Sequence, residues 1–225
     1  MDKIAVFGMD TMLSIRIGGE RILKFISAGK REEMIMYQIT AILILTAFYV
    51  FYFAKIVLQK KQSIKTNQMG TGNKPKKVLV IERIMSAATV LVCIADILSI
   101  FFVKTFPVAG LRIAGIVIGL IAVIFFALAA TTMKNSWRVG IPEEKTSLIT
   151  NGIYKWSRNP AFVGFDLLYL SICLMFFNIP LLAVSVWAAV MLHLQILQEE
   201  EHMQGMFGEE YEEYRKRTAR YFGRR

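Results

Sequence analysis

Residues Ala161–Gln198 read AFVGFDLLYLSICLMFFNIPLLAVSVWAAVMLHLQILQ. After Asp166 this run carries no formal charge. It is too long for a single bilayer crossing, which takes about 20 apolar residues. Asn178-Ile179-Pro180 falls near its middle, and a proline cannot continue a helix without losing a backbone hydrogen bond. The stretch therefore reads as two helices of about 17 residues each, joined by a tight turn. Both are short for a full crossing, so tilt, local thinning or a partly re-entrant hairpin is implied. A hairpin returns its second end beside its first, which brings the polar residues on either side of the run together.

Outward from this hairpin the same apolar character recurs. The windows Ile35–Ala54, Ile84–Val103, Ile113–Met133 and Leu167–Gln198 hold one formal charge between them, Asp96, in a chain with 27 Lys+Arg and 17 Asp+Glu. Helices of a soluble domain keep a polar face, so this segregation excludes a soluble enzyme, a disordered chain and a disulfide-rich secreted module. The expected fold is all-α: a polytopic integral membrane protein with about five transmembrane helical segments, the last two forming the hairpin.

Three regions follow. Residues 1–33 form a polar N-terminal segment with five acidic and six basic residues, without the continuous apolar core of a secretory leader. Ile22, Leu23, Phe25 and Ile26 recur there at helical spacing, as in a short amphipathic interfacial helix. Residues 34–133 hold three transmembrane helices, with a flexible basic loop at 59–77 that has six Lys and no acid. The link Lys104–Pro107 turns the second span into the third, where Gly115 and Gly119 form a small-xxx-small pair that permits close helix packing. Residues 134–225 hold a polar loop, the hairpin 161–198 and a charged tail that begins as a helical continuation. Lys and Arg concentrate on loop 59–77, on 134–160 and on the tail, which places all three on the cytoplasmic side. The six basic residues of the N-terminal segment conflict with that alternation and leave its side open. A pI near 9.7 then reflects basic loops facing anionic headgroups and no nucleic-acid partner. Cys93 and Cys173 both fall inside apolar windows and read as packing residues.

The hairpin sets Arg158 and Asn159 near Glu199 and Glu200 at one interface. A guanidinium, an amide, two carboxylates and several aromatics suit a zwitterionic nucleotide-like ligand. Carboxylates bind ribose hydroxyls or an ammonium group, aromatic faces bind adenine or a sulfonium, and Arg grips a carboxylate in a bidentate fork. His193 and His202 lack zinc-ligand spacing, so no metal is expected. No Rossmann fingerprint or phosphate loop follows a strand.

Gly152, Tyr154, Arg158, Pro160 and Gly164 precede the hairpin, and Glu199, Glu200, Phe207, Gly208, Tyr211, Tyr214 and Arg220 follow it. In order and spacing these resemble the isoprenylcysteine carboxyl methyltransferase family, which is itself similar to phospholipid methyltransferases, over about residues 131–221. Two departures stand out: Asn159 takes the place of the family's His, and Thr218-Ala219 replaces Val-Pro-like residues. An Asn still donates and accepts hydrogen bonds. The resemblance implies S-adenosylmethionine as methyl donor, bound from the cytoplasmic side, with a small or lipophilic acceptor (carboxylate, thiol or amine) arriving through the bilayer. It implies cofactor-binding roles for Tyr154, Asn159, Pro160, Gly164, Glu199 and Glu200, and catalytic roles for Arg158 and Arg220. A carboxylate acceptor would need no base and would be oriented by an Arg. For a thiol or an amine, Glu199, Glu200 or His202 are the candidate bases.

Plainer roles compete. Arg158 fits an interface anchor, Asn159-Pro160 a helix cap followed by a first-turn proline, and Tyr211 and Tyr214 a packed helical face. Asp96 lies about 18 Å from the cytoplasmic helix end by helix rise, which favours an inter-helix hydrogen bond over the chemistry. His193 is expected to face the helix interior. Trp137 and Arg138 are minor candidates for closing over a cofactor. Two other functions remain open: a nicotinamide-dependent membrane reductase of the steroid or sterol type, and a non-catalytic membrane protein that keeps the hairpin. Oligomeric state is not legible.

Overall fold

The computed structural model describes residues 2–103, 108–142, 144 and 146–224, and the side chains from residue 27 onward. Its helices are α1 (Asp2–Lys61), α2 (Lys76–Phe102), α3 (Ala109–Thr132), α4 (Pro160–Met175), α5 (Ile179–Phe207) and α6 (Glu209–Arg217), with short 3-10 turns at Lys134–Ser136 and Gly152–Lys155. Among the described residues there is no strand, only the isolated bridges Asn67–Val139 and Thr218–Arg224. The chain divides into two units, Met1–Thr40 and Ala41–Arg225.

In the first unit every described residue is helical. No proline interrupts residues 2–61, so nothing in the sequence ends the helix between the polar lead-in and the apolar window. The lead-in is thus not a separate short helix. The side chains of Ile22, Leu23, Phe25 and Ile26, on which the amphipathic reading rested, lie outside the described residues. So does the link Lys104–Pro107.

In the second unit α3 packs along α4 and α2 along α5. The glycine pair explains the first contact. A Cβ on Gly115 would stand 2.6 Å from Met175 Cγ, and one on Gly119 would stand 2.6 Å from Ser171 Oγ. Ser171 Oγ in turn donates to the Gly115 carbonyl at 2.7 Å, so the close approach also satisfies a buried hydroxyl. The end of α1 joins through aromatic rings, with Phe48 at 4.5 Å from Phe126 and 4.9 Å from Phe165 between centroids.

Four helices, Ser27–Lys61, Lys76–Phe102, Ala109–Thr132 and Ile179–Phe207, are long and apolar enough to cross a membrane, and Pro160–Met175 is a shorter apolar helix. This is the expected set of five segments, but the hairpin is unequal. With 16 residues α4 spans about 24 Å, less than the roughly 30 Å hydrocarbon core. α5 has 29 residues because it continues without a break through Glu199–Phe207. Asn178 starts it, its side chain accepting from the Leu181 amide at 2.9 Å, with Pro180 in the first turn. Outward-facing residues such as Leu43, Val90, Leu98, Val117, Ile124 and Val186 are exposed, a surface suited to lipid and not to water.

The polar segments gather at one end. Gln68 N donates to the Val139 carbonyl and Val139 N to the Thr66 carbonyl, both at 2.9 Å. Gln59 Nε2 donates to the Trp137 carbonyl at 3.1 Å. The basic loop 59–77 is therefore bound to the segment 134–142 and is not a free loop. Arg158 N donates to the Ala219 carbonyl, and Gly223 N to the Trp156 carbonyl, which ties the tail to the same end. The three segments that were grouped by their basic charge thus lie together.

Candidate functional site

Asn151-Gly152-Ile153-Tyr154 turns the chain into the hairpin. Gly152 has φ +57, and a Cβ there would be 2.9 Å from Thr132 Oγ1 and Cγ2, so glycine is required both by the backbone and by the space. The turn delivers Tyr154 into a buried cluster with Ala129, Tyr211 and Tyr214. The Tyr214 hydroxyl donates to the Tyr154 carbonyl at 2.7 Å. Burial, with Tyr214 and Glu199 beside it, pushes the Tyr154 hydroxyl well above the ordinary phenol range, and burial raises Tyr211 and Tyr214 as well. All three remain neutral near pH 7.

Glu200, 8% exposed, is the centre of the next layer. Arg158 Nη2 donates to its Oε1 at 2.9 Å and its Oε2 at 3.0 Å, and Arg158 Nε to Oε1 at 3.1 Å. Arg220 donates to Oε2 from Nε at 3.1 Å and from Nη2 at 2.9 Å. Asn159 Nδ2 donates to Oε1 at 3.0 Å and to the Arg220 carbonyl at 3.2 Å. The remaining Arg158 nitrogen, Nη1, donates to the Arg215 and Thr218 carbonyls. Every Arg158 nitrogen is thus committed inside the protein. The Glu200 hydrogen bonds raise the Arg220 pKa further above its ordinary value, so that charge is permanent.

This layer borders a cavity of about 500 Å³. Its polar end includes Tyr154, Arg158, Asn159, Glu199, Glu200 and His202, and its far end reaches Phe53 of α1 and Val90 and Ile94 of α2. Phe53, Val90 and Ile94 are 58%, 57% and 48% exposed, so the cavity opens sideways onto the surface that faces lipid. Glu199 Oε1 accepts from Gln195 Nε2 at 3.0 Å. His202 and Trp137 line the same space, and their nitrogens His202 Nε2 and Trp137 Nε1 are buried without a hydrogen-bond partner among the described residues. Arg138 also lines it, held by Glu144 at 2.8 Å and by the Asn135 and Trp137 carbonyls.

The residues singled out in the sequence divide. Tyr154, Arg158, Asn159, Pro160, Glu199 and Glu200 line the cavity. Arg220 is not in its wall, because its guanidinium is turned onto Glu200. Gly164 is not in its wall either. It faces α3, where a Cβ would be 3.2 Å from Phe126 Cβ and 3.3 Å from the Ala122 carbonyl. Asn159 precedes α4, with Pro160 in the first turn, but its side chain makes no capping hydrogen bond; it is spent on Glu200. The His of the pattern the sequence resembles is thus replaced by a group that still donates. His193 does not face the interior of the bundle: its Nδ1 pairs with the Tyr221 hydroxyl. The inter-helix hydrogen bond expected of Asp96 is absent. Asp96 is fully buried, and neither oxygen has a partner among the described residues. Both cysteines are free.

Trp137 and Arg138, minor candidates in the sequence, line the cavity, but sequence reasoning missed Asn67, Met69 and residues 139–142, which join them in one wall. No local motif marks it, since it arises from two loops far apart in the chain. Among the described residues no His, Cys, Asp and Glu cluster is arranged to hold a metal.

Residues 108–210 match the model of the phospholipid methyltransferase family. The match takes in α3, the turn at Gly152–Lys155, the whole hairpin and the start of α6. It carries Tyr154, Arg158, Asn159, Pro160, Glu199, Glu200 and His202 of the cavity lining, but not Phe53, Asn67, Met69, Val90, Ile94, Tyr211 or Tyr214. No curated protein matches the chain.

Proposed function

We propose that this chain is a membrane methyltransferase that uses S-adenosylmethionine and takes a lipophilic acceptor directly from the bilayer. The observation that carries the reading is the two-ended cavity. One end has a carboxylate, buried tyrosines and unsatisfied polar atoms, and the other opens between apolar helices toward lipid. The match over 108–210 supports methyl transfer.

The residues present fit the cofactor. A volume of about 500 Å³ lies within the roughly 300–1,000 Å³ of small-molecule sites. Glu199 offers a carboxylate to an ammonium group or to ribose hydroxyls. The faces of Tyr154, Tyr211 and Tyr214 offer aromatic surface to an adenine or a sulfonium. Trp137 adds an indole to the lining whose Nε1 has no acceptor among the described residues. When bound, S-adenosylmethionine supplies an electrophilic methyl group carried on a cationic sulfur.

The protein's own tasks are positioning and the exclusion of water. Arg158 and Arg220 act through Glu200: they fix its carboxylate and Asn159 at the cavity edge, and Arg158 has no donor left with which to grip an acceptor. For an acceptor that must lose a proton, His202, which lines the cavity and whose Nε2 has no partner among the described residues, is the candidate base. In this reading the polar end faces the cytoplasm, which the basic loops gathered there support. Domain-wise, residues 134–225 form the cofactor-binding region and the helices of 34–133 the acceptor side.

The test is transfer itself. Membranes containing the protein are incubated with S-adenosylmethionine labelled in its methyl group. Label in the organic-extractable fraction, lost in Glu199→Ala membranes, is the expected result. Label only in the aqueous phase contradicts a lipophilic acceptor.

A further inference from the structure

Glu82, in the second turn of α2, is fully buried and lies outside the family match. A buried carboxylate is tolerated only when it is paired and hydrogen-bonded. Here Lys74 Nζ donates to Oε1 and Oε2, both at 2.9 Å, and their side chains are 5% and 0% exposed. The other two donors are backbone amides from two different loops. Gly70 N reaches Oε2 at 2.6 Å, and Ile141 N reaches Oε1 at 2.8 Å.

One carboxylate thus pins both loops that are already bridged at Asn67–Val139. The fit leaves no slack at Gly140. Its φ is +84, and a Cβ there would stand 2.9 Å from both Glu82 Oε1 and Met69 Cα. These pinned loops supply Asn67, Met69 and 137–142 to the cavity wall. Glu199 lies within electrostatic range of both Glu82 and Lys74, so the latch sits at the polar end of the cavity.

Resting on the reading above, we infer that Glu82 is a positioning residue for cofactor binding: with Lys74 it latches a two-loop wall over the polar end of the cavity. The wall joins 137–142, inside the match, to Asn67 and Met69 outside it, and the latch residues Lys74 and Glu82 also lie outside 108–210, so the matched region alone does not complete the site in this chain. Glu82 touches neither cofactor nor acceptor; it acts through Met69, Trp137 and Ile141.

The test uses the full-length protein in detergent, with S-adenosylhomocysteine as the probe in calorimetry and hydrogen exchange read without ligand. In Glu82→Gln the amides of Gly70 and Ile141 exchange faster, and Kd rises at least tenfold with unchanged stoichiometry. A purely structural role would lower the binding-competent fraction and leave the Kd of that fraction unchanged, and this outcome overturns the inference. Should Glu82→Gln fail to fold, Met69→Ala decides, since it trims the wall and leaves the latch intact. A several-fold rise in Kd supports the wall, and an unchanged Kd overturns it. Wild-type protein that does not bind the probe overturns the methyltransferase reading itself, and the inference with it.

Discussion

The Arg158 guanidinium meets both carboxylate oxygens of Glu200, at 2.9 and 3.0 Å, across the α4–α5 hairpin. This pairing closes the hairpin at its polar end. It also converts two residues with the chemistry of ligand-binding groups into a fixed frame for the groups beside them, Asn159 and Glu199.

Removing Arg158 takes three hydrogen bonds from Glu200, which keeps Arg220 and Asn159, so the loss falls short of the cost of a buried charge left wholly unpaired, about 3–5 kcal/mol. Arg158→Ala is expected to lower the unfolding temperature in detergent and to abolish cofactor binding. Arg158→Lys restores the charge but not the fork, so its unfolding temperature falls between those of Ala and wild type. Equal losses for Lys and Ala would show that the planar geometry alone matters.

Asn159 donates to the same Glu200 oxygen as Arg158. Asn159→Ala removes one hydrogen bond to a charged group, about 1.5–3 kcal/mol, and is expected to weaken S-adenosylhomocysteine binding at least tenfold. Asn159→His puts the imidazole N–H of the family pattern in its place and is expected to stay within a few-fold of wild type. A His variant as weak as Ala would refute the donor role assigned to this position.

Gly152 is the tightest point of the turn that presents Tyr154. With φ +57 and Thr132 in the path of a Cβ, Gly152→Ala is expected to cost about 1–3 kcal/mol of backbone strain, seen as a drop in unfolding temperature. Gly205, within α5 and with nothing near its Cβ position, is the control: Gly205→Ala should leave that temperature unchanged or raise it.

How much of this was visible in the sequence depends on how local each feature is. The spans followed from hydropathy, and the closure of Arg158 on Glu200 followed from the length of the run between them. The continuation of α5 past Glu199 into the charged tail was also legible, because nothing in Glu199–Phe207 breaks a helix. Gly164 and Arg220 fit the motif by spacing, but spacing cannot say which way a side chain points. Gly164 meets α3 and Arg220 meets Glu200. Asp96 shows the same limit: a charge inside a span is plain in the sequence, but the lack of a facing donor is a property of three helices at once. The Glu82 latch was invisible because the donors that join the two loops, Gly70 N and Ile141 N, are backbone amides, which no residue identity announces.

Glu199 carries the most weight among the cavity groups, since its partner Gln195 engages only one oxygen. Glu199→Ala is expected to insert and fold as wild type while losing cofactor affinity by at least tenfold, read by calorimetry beside a size-exclusion profile. Unchanged affinity would mean that the cofactor does not sit at this end of the cavity.

The central claim is settled most directly by one titration. Purified wild-type protein in detergent is titrated in turn with S-adenosylmethionine, S-adenosylhomocysteine and NADPH by calorimetry. The account predicts saturable binding of the two adenosyl compounds and no heat of binding from NADPH. Binding of NADPH alone would contradict it and point to a membrane reductase, and binding of none of the three would point to a non-catalytic protein.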